Sequence, residues 1–173
     1  MAKLFLTTLP SEEDLSKSLN PYVQEGDSAS IYSHILLRRV TTDLEINLDA
    51  FFTQFHLSTG RFTLMMILRE NAAGLMPSEL SQRVGVTQAT ISGLISSLEK
   101  AELVHRETHA KDGRAYVIKL TEKGQELVKK ITPEYFRRVE AFWSHFNGDE
   151  KKQLNGFFER MLKDINAIGV PVK

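Results

Sequence analysis

The stretch "MPSELSQRVGVTQATISGLISSLEKA" (residues 76–101) decides how this chain is read. Pro77 suits the first position of a short helix over 76–84, because its missing N–H has no intrahelical partner there. "GVT" (85–87) is a tight turn with a glycine, and Thr87 is placed to cap a second helix over 88–101. Two short helices joined by so brief a turn form a helix-turn-helix signature. In the second helix Ile91, Leu94, Ile95 and Leu98 follow the i, i+3, i+4, i+7 rule and pin one face to a core. The opposite face carries Ala89, Gly93, Ser96 and Lys100, flanked by Thr90, Ser92 and Ser97. A helix face without bulk can approach the major groove of DNA closely, and Ser, Thr and Gln can bond base edges or phosphates there. Small faces also suit helix–helix packing, so a buried protein interface stands as the alternative.

Two strand patterns follow. "LVHRET" (103–108) and "RAYVIKL" (114–120) bracket the tip "HAKDG" (109–113). Tyr116, Ile118 and Leu120 share one face and Lys119 points away. Asp112-Gly113 could make a two-residue turn, and a longer five-residue loop over 109–113 is the favoured reading. A hairpin directly after a helix-turn-helix makes a winged helix. With the second helix in the major groove, the hairpin tip falls beside the flanking minor groove, where negative potential favours an inserted Arg. Arg114 is the candidate, with Asp112 as a carboxylate support for its guanidinium. The plain alternative is turn chemistry at Asp112-Gly113 and a solvated charge at Arg114.

Outward from this centre the chain is helical. From Ser28 to about His56 there is no Pro or Gly, and Leu37, Val40, Leu44, Leu48, Phe51 and Phe55 form one stripe. So long a stripe needs a partner helix from this chain or another. Ser58 caps a helix over 59–71 with Phe62, Met65, Met66 and Leu68 inside, and "NAAGL" (71–75) stops it. Beyond the hairpin Thr121 caps a helix over about 122–146, where Pro133 predicts a kink. Asp149 is the candidate cap of a last helix over about 150–168. The predicted organisation is an arm over 1–27 with at most one helical turn after Ser11, a dimerisation helix over 28–57, a winged helix-turn-helix over 58–122 and closing helices over 123–173. The fold class is mainly α (α+β).

Composition narrows function. The 22 basic and 22 acidic side chains cancel overall, yet residues 1–57 hold 4 basic and 8 acidic, whereas 58–124 hold 9 and 7. The winged segment is therefore mildly basic, a weak indication of an anionic partner. The chain has no cysteine, which excludes disulfides, thiolate catalysis and thiol redox switching. No secretory leader and no apolar run of spanning length is apparent, so a cytoplasmic protein without a membrane partner is expected. His105, Glu107 and His109 lie on a strand and its loop, without the spacing of a metal site. No Gly-rich phosphate loop follows a strand, and no nucleophile–base pattern appears. Neither a cofactor nor enzymatic activity is expected.

From Gly74 to Gly124 the sequence resembles the MarR family of winged-helix transcription regulators, through "SELSQRVGVTQATISGLISSLEKAELVHR" (78–106) and above all "KDGRAYVIKLTEKG" (111–124). The resemblance implies a homodimer, interlocked through the first and last helices, acting as a repressor on a pseudo-palindromic operator in double-stranded DNA. It places Thr87, Gln88, Thr90, Ser92, Gly93 and Ser96 at the groove, Ser78 and Ser81 near a phosphate strand, and Arg106, Lys111, Asp112 and Arg114 on the DNA side of the wing. It also implies a crevice for a small, anionic aromatic effector, for which His34, Phe55, Arg61, Phe62, Met65 and Trp143 are candidates. Set against that, the Phe and Met residues would be core, Arg61 would pair with an acidic residue, and His34 would be a satisfied interface histidine. The chain departs from the family pattern at Gly93, where many members carry Arg, at Ser96-Ser97, where many carry Asp-Arg, and at Glu102, where a Gly often ends the helix. Modest base readout follows, with the wing and DNA shape carrying more of the specificity. A winged helix serving only protein–protein contact is the alternative.

Overall fold

The computed structural model describes residues 8–19, 28–109 and 112–169. Seven α-helices and a two-stranded antiparallel sheet follow one another among them: α1 (Glu12–Leu19), α2 (Ser28–Thr53), α3 (Thr59–Glu70), α4 (Pro77–Val84), α5 (Gln88–Lys100), β1 (Val104–His109), β2 (Asp112–Leu120), α6 (Glu122–Trp143) and α7 (Gly148–Asp164). They divide into two compact units that meet in the chain at Thr121/Glu122. Among the described residues no helix is long and apolar enough to cross a membrane.

In the first unit, α1 is longer than the single turn expected. Ser11 Oγ accepts the N–H of Asp14 at 3.1 Å, and the acidic Glu12, Glu13 and Asp14 lie at the favourable end of the helix dipole. The stripe on α2 divides. Its C-terminal end is buried through Phe51 and Phe52, whereas Val40 and Leu44 remain exposed. His56 (φ 57°) ends that helix in left-handed backbone, and the N–H of Leu57 returns to the carbonyl of Phe52 at 3.1 Å. This turn sends the chain directly into α3, whose first N–H, on Thr59, donates to Asp49 of α2 at 2.9 Å. Ser58 accepts from the N–H of Arg61, as its sequence position predicts.

The core is continuous across this unit. Phe52 stacks on Phe62 with centroids 4.5 Å apart, and Met65, Leu80, Ile91, Ile95, Leu98 and Ile118 are fully buried. Leu64 joins them, while Met66, expected inside, is half-buried one position further round the helix. The "NAAGL" segment does more than stop α3. Leu75 exchanges two backbone hydrogen bonds with Ile118 (3.2 and 2.8 Å), an isolated bridge beside β2 that its sequence did not reveal. Gly74 beside it has φ +84°, and a Cβ there would stand 2.9 Å from the Ile118 carbonyl oxygen.

The hairpin corrects one expectation. β1 runs to His109 and β2 begins at Asp112, with those two residues paired and a register shift between Thr108 and His109. Asp112 and Gly113 are therefore strand residues, and neither a two-residue Asp-Gly turn nor a five-residue loop over 109–113 forms. Residues 110 and 111 of the connection lie outside the described residues.

In the second unit α6 stays one continuous helix across Pro133 and ends at Trp143, short of the expected 146. The buried hydroxyl of Thr132 donates to the Val128 carbonyl at 2.7 Å. The cap of α7 is Asn147, not Asp149. Its side-chain oxygen accepts the N–H groups of Asp149 and Glu150, and the Glu150 carboxylate accepts the Asn147 N–H at 2.7 Å. None of the residues of α7 is buried. A short 3-10 turn (Ile165–Gly169) follows it.

Candidate nucleic-acid interface

The α4–turn–α5 unit is set by its caps. Met76 offers α4 no side-chain acceptor, but its N–H donates to Glu79 Oε2 at 2.7 Å, which restores half of a capping box. Gly85 (φ 70°) lets the chain turn sharply, and Thr87 Oγ1 accepts the N–H of Thr90 at 3.2 Å to open α5. Ile91, Ile95 and Leu98 then hold one side of α5 in the core.

The other side is open. Thr87, Gln88, Thr90, Ser92, Gly93 and Ser96 are all exposed on a single surface. Thr87 and Thr90 bond each other through their hydroxyls at 2.9 Å. The side chains of Gln88, Ser92 and Ser96 have no hydrogen-bond partner among the described residues. A Cβ on Gly93 would meet nothing within 4 Å, so nothing within the chain requires glycine there. The face holds free donors and acceptors, little bulk, and Lys100 at its far end.

Two candidates are engaged within the chain. Ser81 is buried, and its hydroxyl donates to the Ser78 carbonyl at 2.8 Å, so it turns inward while Ser78 is half-buried. Arg106 is exposed on the wing and is tied to α5. Its Nε and Nη2 donate to the two carboxylate oxygens of Glu99 at 2.9 and 3.0 Å, and its guanidinium lies 4.8 Å from the centre of the Tyr116 ring. That hydrogen bonding holds the Arg106 pKa above its ordinary value. At the tip, Asp112 and Arg114 belong to β2 through their backbone. Their side chains, and Lys111 entirely, lie outside the described residues.

On the outer face of the wing, Lys119 Nζ donates to Glu107 Oε1 at 2.8 Å and His105 Nε2 stands 3.7 Å from Glu107 Oε2. This is a cross-strand tie in which a lysine occupies the carboxylate. No group of three or more potential metal ligands occurs among the described residues.

The residues considered for an effector are dispersed in character. Phe62 and Met65 are core, and Phe55 is half-buried with its ring 5.4 Å from that of Phe51. His34 is exposed on α2. Trp143 belongs to the second unit, where it contacts Phe142 and Phe146. Arg61 is partly buried, and its partners are hydroxyls instead of the expected carboxylate: Ser58 at 3.4 Å and Ser97 of α5 at 3.2 Å.

Comparison with known proteins places this geometry. The chain is 29% identical over 161 residues to the HTH-type transcriptional repressor YetL of Bacillus subtilis, covering 90% of this chain and 96% of YetL. It is 28% identical over 143 residues to the transcriptional repressor MprA of Escherichia coli, covering 79% and 81% of the two chains. Among solved structures, a MarR protein from Peptoclostridium difficile is 26% identical with a TM-score of 0.68, covering 84% of this chain and 92% of that one. The fold also matches MepR of S. aureus in its DNA complex, at 22% identity and a TM-score of 0.70 over 76% of this chain and 95% of that one. The MarR family model matches residues 57–116, from the end of α2 into β2. Over its winged helix the chain is similar to the MarR family, and over most of its length to these relatives.

Proposed function

We propose that this protein is a DNA-binding transcriptional regulator that lays α5 in the major groove and the β1–β2 wing beside the flanking minor groove. The observation that carries this reading is the exposed face of α5. It combines small side chains, unpartnered Gln88, Ser92 and Ser96, and no unpaired acidic group, since Glu99 is neutralised by Arg106. Such a face fits a groove lined by acceptors and donors. Repression is the direction favoured by the names of YetL and MprA.

A homodimer on a pseudo-palindromic operator extends the reading. It is supported by apolar side chains exposed on α2 (Val40, Leu44) and α7 (Phe157, Met161, Leu162). Two recognition helices would then lie about 34–36 Å apart on the DNA. Release by a small anionic effector is supported by Arg61, a half-buried guanidinium whose partners among the described residues are the hydroxyls of Ser58 and of Ser97 on α5.

Selection of genomic fragments by the purified protein, followed by fluorescence anisotropy on the selected duplex across salt concentrations, tests the proposal. Binding should weaken with a log–log slope of about −0.9 per phosphate contacted. Sedimentation should give a dimer that binds one duplex. Absence of binding to any duplex would overturn the reading in favour of a protein–protein module.

A further inference from the structure

The wing is held unevenly along its length. Its base is locked by Val104, Val117, Ile118 and Leu120 in the core and by the Leu75–Ile118 bridge. Val117 is the last core side chain toward the tip among the described residues. Beyond it Thr108 and Tyr116 are exposed and Ala115 is half-buried. Among the described residues the wing therefore has no core anchor beyond Val117, and the contacts at its root orient it.

At that root sits the Arg106 arrangement. The residue projects from β1, accepts the ring of Tyr116 from β2 beneath its guanidinium, and forks onto both oxygens of Glu99 on α5. One side chain therefore joins both strands of the wing to the recognition helix. A two-point guanidinium–carboxylate pair fixes direction as well as distance, because both planes must align. The pair is partly exposed, with 45% of the Arg106 side chain and 29% of the Glu99 side chain accessible, so its effect on overall stability is small. Its effect on geometry need not be small, since displacement at the root is amplified at the tip.

We propose that Glu99, Arg106 and Tyr116 form a clasp that sets the angle between the recognition helix and the wing, making Arg106 a positioning residue and not a DNA ligand. The inference rests on the DNA-binding reading above. It requires that α5 and the tip engage adjacent grooves at once, which only one wing angle permits.

The test uses the full chain with Glu99→Gln, Arg106→Ala, Arg106→Lys and the Glu99→Gln/Arg106→Ala pair on the selected duplex at several salt concentrations. Each single variant should bind about tenfold more weakly, in line with the sensitivity of a site to small misplacement. The double variant should lose no more than a single one, as expected when one interaction is removed twice. The salt slope should stay unchanged, because no phosphate contact is lost. Arg106→Lys should resemble Arg106→Ala, since an ammonium cannot fork. A slope reduced by about 0.9 in Arg106→Ala, with Glu99→Gln binding as well as or better than the unmodified protein, would identify Arg106 as a phosphate ligand and overturn the clasp.

Amide exchange without DNA separates this idea from the function it rests on. Glu99→Gln should speed exchange in Thr108 and 115–116 while leaving α3 unchanged. Unchanged exchange in the wing would overturn the clasp even where DNA binding holds. Failure of the unmodified protein to bind any duplex, with exchange altered as expected, would sink the DNA reading and leave the clasp standing as a structural tie.

Discussion

The hydroxyl of Thr121 donates to the carbonyl of Glu102 across 2.7 Å, pinning the residue that leads into α6 to the residue that leaves α5. Glu102 holds this place in left-handed backbone, with φ 59°. The N–H of Leu103 bonds the Leu98 carbonyl at 2.9 Å and that of Glu102 bonds the Glu99 carbonyl at 2.9 Å, the two bonds of a Schellman ending. A side chain at that position carries a steric cost that glycine avoids. Glu102→Gly should therefore stabilise the protein by about 0.5–1 kcal/mol after the added chain entropy is subtracted. Thermal unfolding should show a midpoint about 2–4 °C higher. A lower midpoint would mean that the Glu102 side chain contributes more than its backbone costs.

Gly93 offers the opposite experiment. It stands in mid-helix with open space around it, so Gly93→Ala should raise stability by about 1 kcal/mol through helix propensity alone. If the α5 face seats in a groove, the same change should weaken operator binding by crowding the closest approach. Calorimetry and anisotropy on one preparation check both halves. Tighter binding by the stabilised variant would remove Gly93 from the interface.

Glu107 predicts a pH effect. The hydrogen bond from Lys119 holds its carboxyl below the usual carboxylate range, with a smaller contribution from His105. A carboxyl lowered in the folded state contributes stability that is complete above its unfolded value, about 4.3, and is lost as pH falls through the lowered one. Glu107→Gln should flatten the fall of the melting midpoint between about pH 5 and pH 3 and change little at pH 7. Melting curves across that range decide it, and parallel curves for the two proteins would exclude the tie as a source of acid sensitivity.

If the wing enters the minor groove, Arg114→Ala should weaken duplex binding and reduce the magnitude of the salt slope, unlike the clasp variants, because a charge near the sugar-phosphate walls would be removed. Titrations at three or more salt concentrations give the slope. An unaltered slope with unaltered affinity would place Arg114 outside the contact surface.

Most of the fold was legible because its signals are local. Ser58 and Thr87 cap where hydroxyls precede apolar periodicity, Pro77 opens α4, and Gly85 turns the chain into α5. What escaped depends on tertiary neighbours. The Leu75–Ile118 bridge joins residues 43 positions apart, and nothing in "NAAGL" announces a sheet contact. Asn147 and Asp149 are both good caps by composition, and only the hydrogen bonds choose between them. The exposed face of α5 was legible, because exposure follows from helical period. It was not legible for Ser81, whose hydroxyl finds a backbone carbonyl, or for Arg106, which reads as a free strand cation until Glu99 is seen across from it. Their partners lie three and seven residues away, and sequence spacing does not say which way a side chain turns.

A helix of 17 residues with none of them buried, as in α7, gains little from packing within the chain. Any cover over Phe157, Met161 and Leu162 would add to its order. With a second copy as that cover, the folded fraction becomes a function of the protein's own abundance. A melting midpoint that climbs with dilution reversed would then measure the same equilibrium that sets how much operator-competent species a cell holds, so that expression level itself becomes an input to the regulator.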